Sequence, residues 1–398
     1  MLRTVRFNAI RLVGRLVFAA TVLAVFILLS QTPEAEAQET APPAFREATC
    51  AALIDQGGNI VYQQDPERHM SLASITKVMT AMCVLDSGIP LDEVVTLTAP
   101  TLDEDSQMAG YVEGDKASIR ELLQVMLVYS ANDAAHNLAV RVAGSVEAFS
   151  DLMNKKAAEL GMTNSHFVNP HGLEDDNHYS CAIDLARMGK YALENYPFIA
   201  QTITMRTAST TVHGEHIEFA STDDFLDSYP GARGIKTGAV ITNYTFLGAS
   251  GRGNKQLYSA VLGCTSAEGR FEDTITLMNW GYARYRDMQI SNKSWILRAQ
   301  PYAYDFGQRA IVSSPENSYA SVRSKGGDAS YVNVLSRSNR LLEAGTAYGW
   351  SRWTQSGANM GTALYATRSK PARVSSWPLF SLPLFADASQ LNGSGDNV

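Results

Sequence analysis

The stretch SLASITKVMTAM, Ser71–Met82, sets a lysine, Lys77, inside an otherwise apolar run, three residues after Ser74. Ile75, Val78, Met79, Met82 and Leu85 recur at helical spacing, and Ala81, Cys83 and Val84 fill most other positions. A helix that is apolar on nearly every side is a buried helix. An ammonium is costly to bury unless it is paired or gives up its proton. Residues i and i+3 share a helical face, so the spacing predicts that the Ser74 hydroxyl and the Lys77 amine meet. Desolvation lowers the pKa of the amine, and the positive end of a helix pushes the same way. A neutral amine can take the serine proton, so Ser74 reads as a nucleophile and Lys77 as its general base.

Two later stretches could complete a site. In YSANDAA an apolar helix stops at Ser130-Ala131-Asn132, and Asp133 is expected to cap the next helix. That turn sets a hydroxyl, Ser130, beside a carboxamide, Asn132. In GIKTGAV, Lys236-Thr237-Gly238 lies in a strand-type segment. Gly238 admits a second backbone, while Lys236 and Thr237 offer an ammonium and a hydroxyl to an anion. Each has a plainer reading when taken singly: a solvated lysine, a capping turn, a lysine on a strand edge.

The 398 residues are 45% hydrophobic and 18% charged, which is globular composition with length for a large domain and a smaller one. The net charge is −7 and no basic block occurs, which argues against nucleic acid as a partner. Arg3, Arg6, Arg11 and Arg15 precede an apolar run from Leu16 to Leu29, and Ala35-Glu36-Ala37 fits a small-x-small cleavage site. Residues 1–37 therefore read as a signal peptide, and the chain as an exported, cell-envelope protein. The rival reading is a retained membrane anchor, against which the run falls short of the ~20 residues a spanning helix needs. Four cysteines, Cys50, Cys83, Cys181 and Cys264, are too few and too far apart to imply a disulfide scaffold.

Residues 38–47 read as a linker. From 48 to 287 a hairpin at Gln56-Gly57-Gly58-Asn59 is followed by a series of helices, then by GIKTGAV, YTFLGAS and KQLYSAVLG as strands, and by a closing helix. This is an α+β plan, an antiparallel sheet with grouped helices. SIRELLQVMLVYS carries a capping box in Ser118 and Glu121. Residues 288–385 hold short alternating runs (SYASVRS, SYVNVLS, TALYATRS) and read as a small β-rich domain. SSWPLFSLPLF, near its end, contains two prolines; it could pack on that domain or touch a membrane surface peripherally. Residues 386–398 read as a disordered tail.

The ordered set S-x-x-K, S-x-N, K-T-G matches the signature of serine β-lactamases and penicillin-binding proteins. Together with NPHGLEDDNHYS and TLMNWGY, it makes the chain resemble the low-molecular-mass penicillin-binding proteins that are D-alanyl-D-alanine carboxypeptidases, over about residues 48–287. The resemblance implies a β-lactamase/transpeptidase-like fold with a helical subdomain. It also implies a peptidoglycan stem peptide ending in D-Ala-D-Ala as substrate, β-lactams as covalent inhibitors, and no cofactor or metal. Carried onto this chain, Ser74 attacks the penultimate carbonyl and Lys77 takes its proton. The N–H groups of Ser74 and Ala239 form the oxyanion hole, and Ser130 relays a proton. Asn132 holds the substrate amide, and Lys236, Thr237 and Gly238 line the strand that binds the terminal carboxylate. Arg270 is implied as a second anchor, although an ordinary surface arginine is its plain alternative.

The chain departs from the family pattern in KTGAVITNYTFLGAS, and in EFASTDDFLDSYPGARG where an Asn-rich segment is usual. The sequence also bears on three rival functions. A class A β-lactamase needs a Glu-x-x-x-Asn spacing that the loop bearing Glu174 lacks. A silent wall-binding protein has no use for a buried lysine beside a serine. A zinc peptidase would rest on His213 and His216 in HGEH, which reads as strand, where positions three apart face opposite ways. His171, in NPHGL, reads as a loop anchor.

Overall fold

A computed structural model describes residues 41–102, 106–241, 243–292, 298–301, 308–323, 329–335, 347–355, 357–367 and 372–373. The expected signal peptide (1–37), the SSWPLFSLPLF segment and the expected tail (386–398) lie outside these residues.

In chain order the larger part opens with the hairpin β1 (Cys50–Asp55) and β2 (Ile60–Gln64), joined at the expected Gly57-Gly58 turn. A 3-10 turn (Ala73–Ile75) leads into α1 (Thr76–Asp86). The short strands β3 (Val94–Thr96) and β4 (Lys116–Ser118) pair, and five helices follow: α2 (Ile119–Val128), α3 (Asn132–Ala143), α4 (Val146–Glu159), α5 (Ala182–Asn195) and α6 (Pro197–Thr202). The hairpin β5 (Thr207–Val212) and β6 (Glu215–Ala220), and the short α7 (Phe225–Ser228), precede β7 (Ala232–Val240), β8 (Asn243–Arg252) and β9 (Lys255–Cys264); α8 (Ala267–Tyr282) closes the part.

The main sheet is antiparallel with strand order β2-β1-β9-β8-β7, so β7 is an edge. Both of its faces are covered. On β1, Ala52 and Ile54 join the core formed with the helical subdomain, while Ala51 and Leu53 join the core that includes Leu277 and Met278 of α8. A strand buried on both faces carries apolar side chains at successive positions, which is why CAALID shows no alternation. Helix α5 packs on β9 and β1 from one side, and α8 on β9 and β8 from the other.

Nine of the eleven residues of α1 are buried, in keeping with its all-round apolar sequence. The capping box at α2 forms as expected: Ser118 Oγ accepts from Glu121 N–H at 3.2 Å, and Glu121 Oε2 accepts from Ser118 N–H at 2.7 Å. Asp133 is a correction. The N-cap of α3 is Ala131, without a side-chain cap, and Asp133 lies inside the first turn. Its carboxylate accepts from the N–H groups of Ala109, Gly110 and Tyr111 at 2.9, 2.8 and 3.1 Å, so it pins the neighbouring loop. At the helix start Asn132 N–H is taken by Gln107 O at 2.8 Å, and Ala134 N–H by Asp133 Oδ1 at 2.9 Å.

Part of the expected linker is anchored. The N–H groups of Arg46, Glu47 and Ala48 bond to the Asp273 carboxylate on α8, at 2.7, 2.9 and 2.7 Å. His213 lies in the turn of the β5–β6 hairpin and His216 on β6, and both are exposed. All four cysteines are buried and unpaired with one another.

Beyond α8 the chain is built of strands: β10 (Tyr285–Ser291), β11 (Arg298–Pro301), β12 (Gln308–Ser313), β13 (Ser318–Arg323), β14 (Ala329–Leu335), β15 (Ala347–Gln355), β16 (Ala358–Thr367) and β17 (Ala372–Arg373). β10 pairs with β13, and the larger sheet runs β11-β12-β16-β15-β14 with β17 on β12. Val312, Val322, Trp353 and Tyr365 continue the core that begins under α8. A buried ion pair, Arg323 to Asp55 at 3.2 Å, ties β13 to the end of β1.

Candidate active site

The expected residues come together from four separate stretches of the chain. Ser74 lies in the 3-10 turn and Lys77 in the first turn of α1. Ser130 links α2 to α3, and Asn132 opens α3. Lys236, Thr237, Gly238 and Ala239 occupy β7, and Arg270 the first turns of α8. Ser74, Ser130, Asn132, Thr237, Gly238, Ala239 and Arg270 line one cavity of about 490 Å³. Lys77 and Lys236 sit behind its wall, 0% and 1% exposed.

Lys77 Nζ has three neighbours: Ser74 Oγ at 2.7 Å, Asn132 Oδ1 at 2.6 Å and the carbonyl oxygen of His171 at 2.7 Å. Two of these are carbonyl oxygens, which only accept. A neutral amine has two hydrogens for them, and its lone pair is then left facing Ser74. Burial pushes Lys77 well below the ordinary lysine pKa, the nearby Lys236 adds to the shift, and Asp133 opposes it. The lysine is thus held where its neutral form is both stabilised and aimed. Half-buried Ser74 keeps its other side open to the cavity.

The turn that presents Ser74 is strained. Ala73 has φ 49°, in the left-handed region that non-glycine residues enter at a cost of roughly 1–3 kcal/mol. Ser130 is also left-handed, at φ 75°, and lines the cavity. Two glycines allow the close approaches. A Cβ on Gly172, whose φ is 89°, would lie 1.9 Å from Ala73 O. One on Gly238 would lie 2.2 Å from Thr245 Oγ1 and 2.9 Å from Leu72 O. The K-T-G strand can therefore lie directly against the residues before the serine.

On β7, Lys236 Nζ donates to the Thr237 carbonyl at 3.1 Å. Its pKa is pushed down to about 7 by burial and by Arg270, with Asp223 acting the other way. Thr237 Oγ1 is 2.6 Å from Thr222 Oγ1, and Arg270 Nη1 donates to Gly238 O at 3.0 Å. Arg270 is 8% exposed and faces the cavity, which is not the surface arginine of the plain alternative. Asp223, in the departing segment, has one oxygen on Phe225 N–H at 3.0 Å and the other without a partner among the described residues. Burial pushes this carboxyl up to about 7, against the pull of Phe225 N–H, Lys236 and Arg270.

Sequence reasoning did not anticipate several contributors. Ser106, Gln107, Leu173, Glu174, Thr222, Val240 and Ile241 also line the cavity. The His171 contribution is a main-chain carbonyl, which any residue could supply and no side-chain pattern reveals. NPHGL was legible as an anchoring loop, but its target was not.

The family model for D-alanyl-D-alanine carboxypeptidases matches residues 36–266. The chain belongs to the D-alanyl-D-alanine carboxypeptidase family. Among relatives of this peptidase, the D-alanyl-D-alanine carboxypeptidase DacF of Bacillus subtilis is 28% identical over 275 residues, covering 67% of this chain and 71% of the relative. A D-alanyl-D-alanine endopeptidase of Pseudomonas aeruginosa is 40% identical over 171 residues, 42% of this chain and 53% of the relative. Among solved structures, penicillin-binding protein D2 of Listeria monocytogenes in its cefotaxime-bound form aligns with TM-score 0.56 at 32% identity, over 61% of this peptidase and 99% of that chain. The fold is that of the penicillin-binding and transpeptidase proteins, with a β-rich C-terminal region added.

Proposed function

We propose that this peptidase releases the terminal D-alanine from peptidoglycan stem peptides through an acyl-enzyme on Ser74, and that β-lactams acylate the same hydroxyl. The observation that carries this reading is the placement of Lys77 Nζ, buried and 2.7 Å from Ser74 Oγ, with two carbonyl oxygens taking its hydrogens.

The steps follow from the groups present. Lys77 takes the Ser74 proton as Oγ bonds to the penultimate carbonyl carbon. The oxyanion meets the N–H groups of Ser74 and Ala239 at the cavity wall, a form of stabilisation worth roughly 3–4 kcal/mol per donor. The C–N bond to D-alanine breaks as a proton reaches the leaving nitrogen through Ser130, helped by Lys236. Water then attacks the ester, and the Ser74 hydroxyl is regenerated. Lys236, Thr237 and Arg270 form the cationic and hydroxyl end that fits the substrate carboxylate. Asn132 holds both Lys77 and the substrate amide.

The match to an endopeptidase keeps a second specificity in view, cleavage of a D-Ala cross-link, by the same chemistry. Incubation with penicillin should give a covalent adduct by intact mass that is lost in Ser74→Ala, and a D-Ala-D-Ala pentapeptide should yield free D-alanine. An adduct with neither D-alanine release from the pentapeptide nor cleavage of a cross-linked dimer into its two peptides would leave a silent binder. Rapid turnover of penicillin would mark a β-lactamase.

Work on stem peptides places the enzyme outside the cytoplasm, and residues 1–37 are proposed to export it. The mature N-terminus is then Gln38, as terminal mass analysis would show. Among the described residues no helix is long and apolar enough to cross a membrane. Peripheral membrane contact through residues 375–385 would appear as co-sedimentation with vesicles that is lost on deleting that segment.

A further inference from the structure

His178 does not line the cavity, yet a short chain of hydrogen bonds joins it to the residue before the serine. Its ring is 3% exposed and stands edge-on to Phe167 at 5.7 Å. Nε2 is 2.8 Å from Thr76 Oγ1, and Nδ1 is 3.1 Å from the N–H of Val168. Thr76 Oγ1 also lies 2.7 Å from Ala73 O.

The directions of these bonds can be assigned from the groups themselves. A carbonyl only accepts, so the single hydroxyl hydrogen of Thr76 goes to Ala73 O. The contact at 2.8 Å is then His178 Nε2–H donating to Thr76, and Nδ1 accepts from Val168. One neutral tautomer satisfies all three bonds. An imidazolium would set an N–H against the N–H of Val168. Burial, together with His166 and Lys77 and against Asp175, pushes the ring down to about pKa 4, so it stays neutral in the working range.

The chain ends on the strained element. Ala73, at φ 49°, immediately precedes Ser74. Gly172 presses on it from the other side, since a Cβ there would meet Ala73 O at 1.9 Å and Thr76 Oγ1 at 2.7 Å. The same loop supplies the His171 carbonyl to Lys77 and the Pro170 carbonyl to Thr80 at 2.6 Å. His178 thus bonds both the loop, at Val168, and the serine turn, through Thr76.

We propose that His178 is a positioning residue for acyl transfer, fixing through Thr76 the strained Ala73 peptide and with it the direction in which Ser74 Oγ meets Lys77. This deepens the reading of Ser74 as the nucleophile and rests on it.

Two substitutions separate the two bonds. Gln places its amide nitrogen where Nε2 stands and keeps the donation to Thr76. Asn places its amide oxygen where Nδ1 stands and keeps the bond from Val168. The test is the rate of acylation of the full chain by a chromogenic β-lactam, per titratable site, with intact mass locating the adduct and melting temperature recorded for each variant. His178→Gln should acylate within about threefold of the wild type. His178→Asn should slow by about tenfold or more, because a misaimed nucleophile loses rate steeply, while KM for the peptide changes less than about twofold. In Thr76→Val the link is cut from the other end, and adding His178→Asn to it should cost little more.

Equal losses in the Gln and Asn variants, tracking their melting temperatures, would overturn the proposal and reduce His178 to a core residue. Additive losses in the Thr76→Val double variant would do the same. No adduct on the wild-type chain would overturn the nucleophile reading and the proposal together.

Discussion

Lys77 and Lys236 are two amines under one cavity, and their surroundings assign them different tasks. Lys77 is held by two carbonyl oxygens and the serine, so its substitution by Met should leave a folded protein whose acylation rate is lower by about 10²–10⁴-fold. Lys236, with its pKa near 7, titrates in the working range. As pH rises through that value the free enzyme loses the ammonium, and kcat/KM for a carboxylate-ended peptide should fall. Lys236→Arg stays charged and should move this alkaline limb beyond pH 9, read from a pH–rate profile. A lysine whose folded pKa is depressed carries a burial penalty below about pH 7, relieved as pH climbs toward the unfolded value near 10.4. Lys236→Met should therefore raise the melting temperature at pH 6 and lose that gain by about pH 10.

At the scale of elements, three approaches build the cleft: the serine turn, the 168–173 loop and the edge strand β7. The turn meets the other two at glycines. Gly238→Ala would drive a methyl into Thr245 Oγ1 and Leu72 O, so β7 must shift from the serine turn. The expected cost is about 1–3 kcal/mol in denaturant unfolding, with a fall in acylation larger than the stability loss explains. Gly172→Ala adds a left-handed φ to its clash with the Ala73 carbonyl, which is backbone and cannot swing aside, and should be the more damaging of the two.

For the whole molecule, the catalytic sheet and the C-terminal strands share a core and a buried ion pair. Arg323 also donates to Ile60 O at 3.2 Å, while Asp55 keeps the N–H groups of Gly57 and Asn59, both at 2.9 Å, whether or not the arginine is present. Arg323→Met should thus lower stability by about 1–3 kcal/mol, by chemical denaturation, and leave acylation of Ser74 within about twofold, because no cavity residue changes. Among the described residues, the β-rich end meets the β1–β2 hairpin through Arg323, and none of its residues lines the cavity.

The sequence by itself determined the elements and most of the chemical groups. Apolar spacing marked α1, Ser118 with Glu121 marked the start of α2, and the three short motifs named the serine, both lysines, Asn132 and Thr237. These signals are local, each needing only a few neighbouring residues. Tertiary structure decided what local pattern does not encode. Asp133, read as a cap, pins a loop 22–24 residues earlier in the chain. Arg270, indistinguishable in sequence from a surface arginine, lines the cavity because α8 packs across β8 and β9. The third neighbour of Lys77 is a main-chain carbonyl 94 residues away. A peptide oxygen has no letter of its own, so only the folded chain shows which one lies beside the amine.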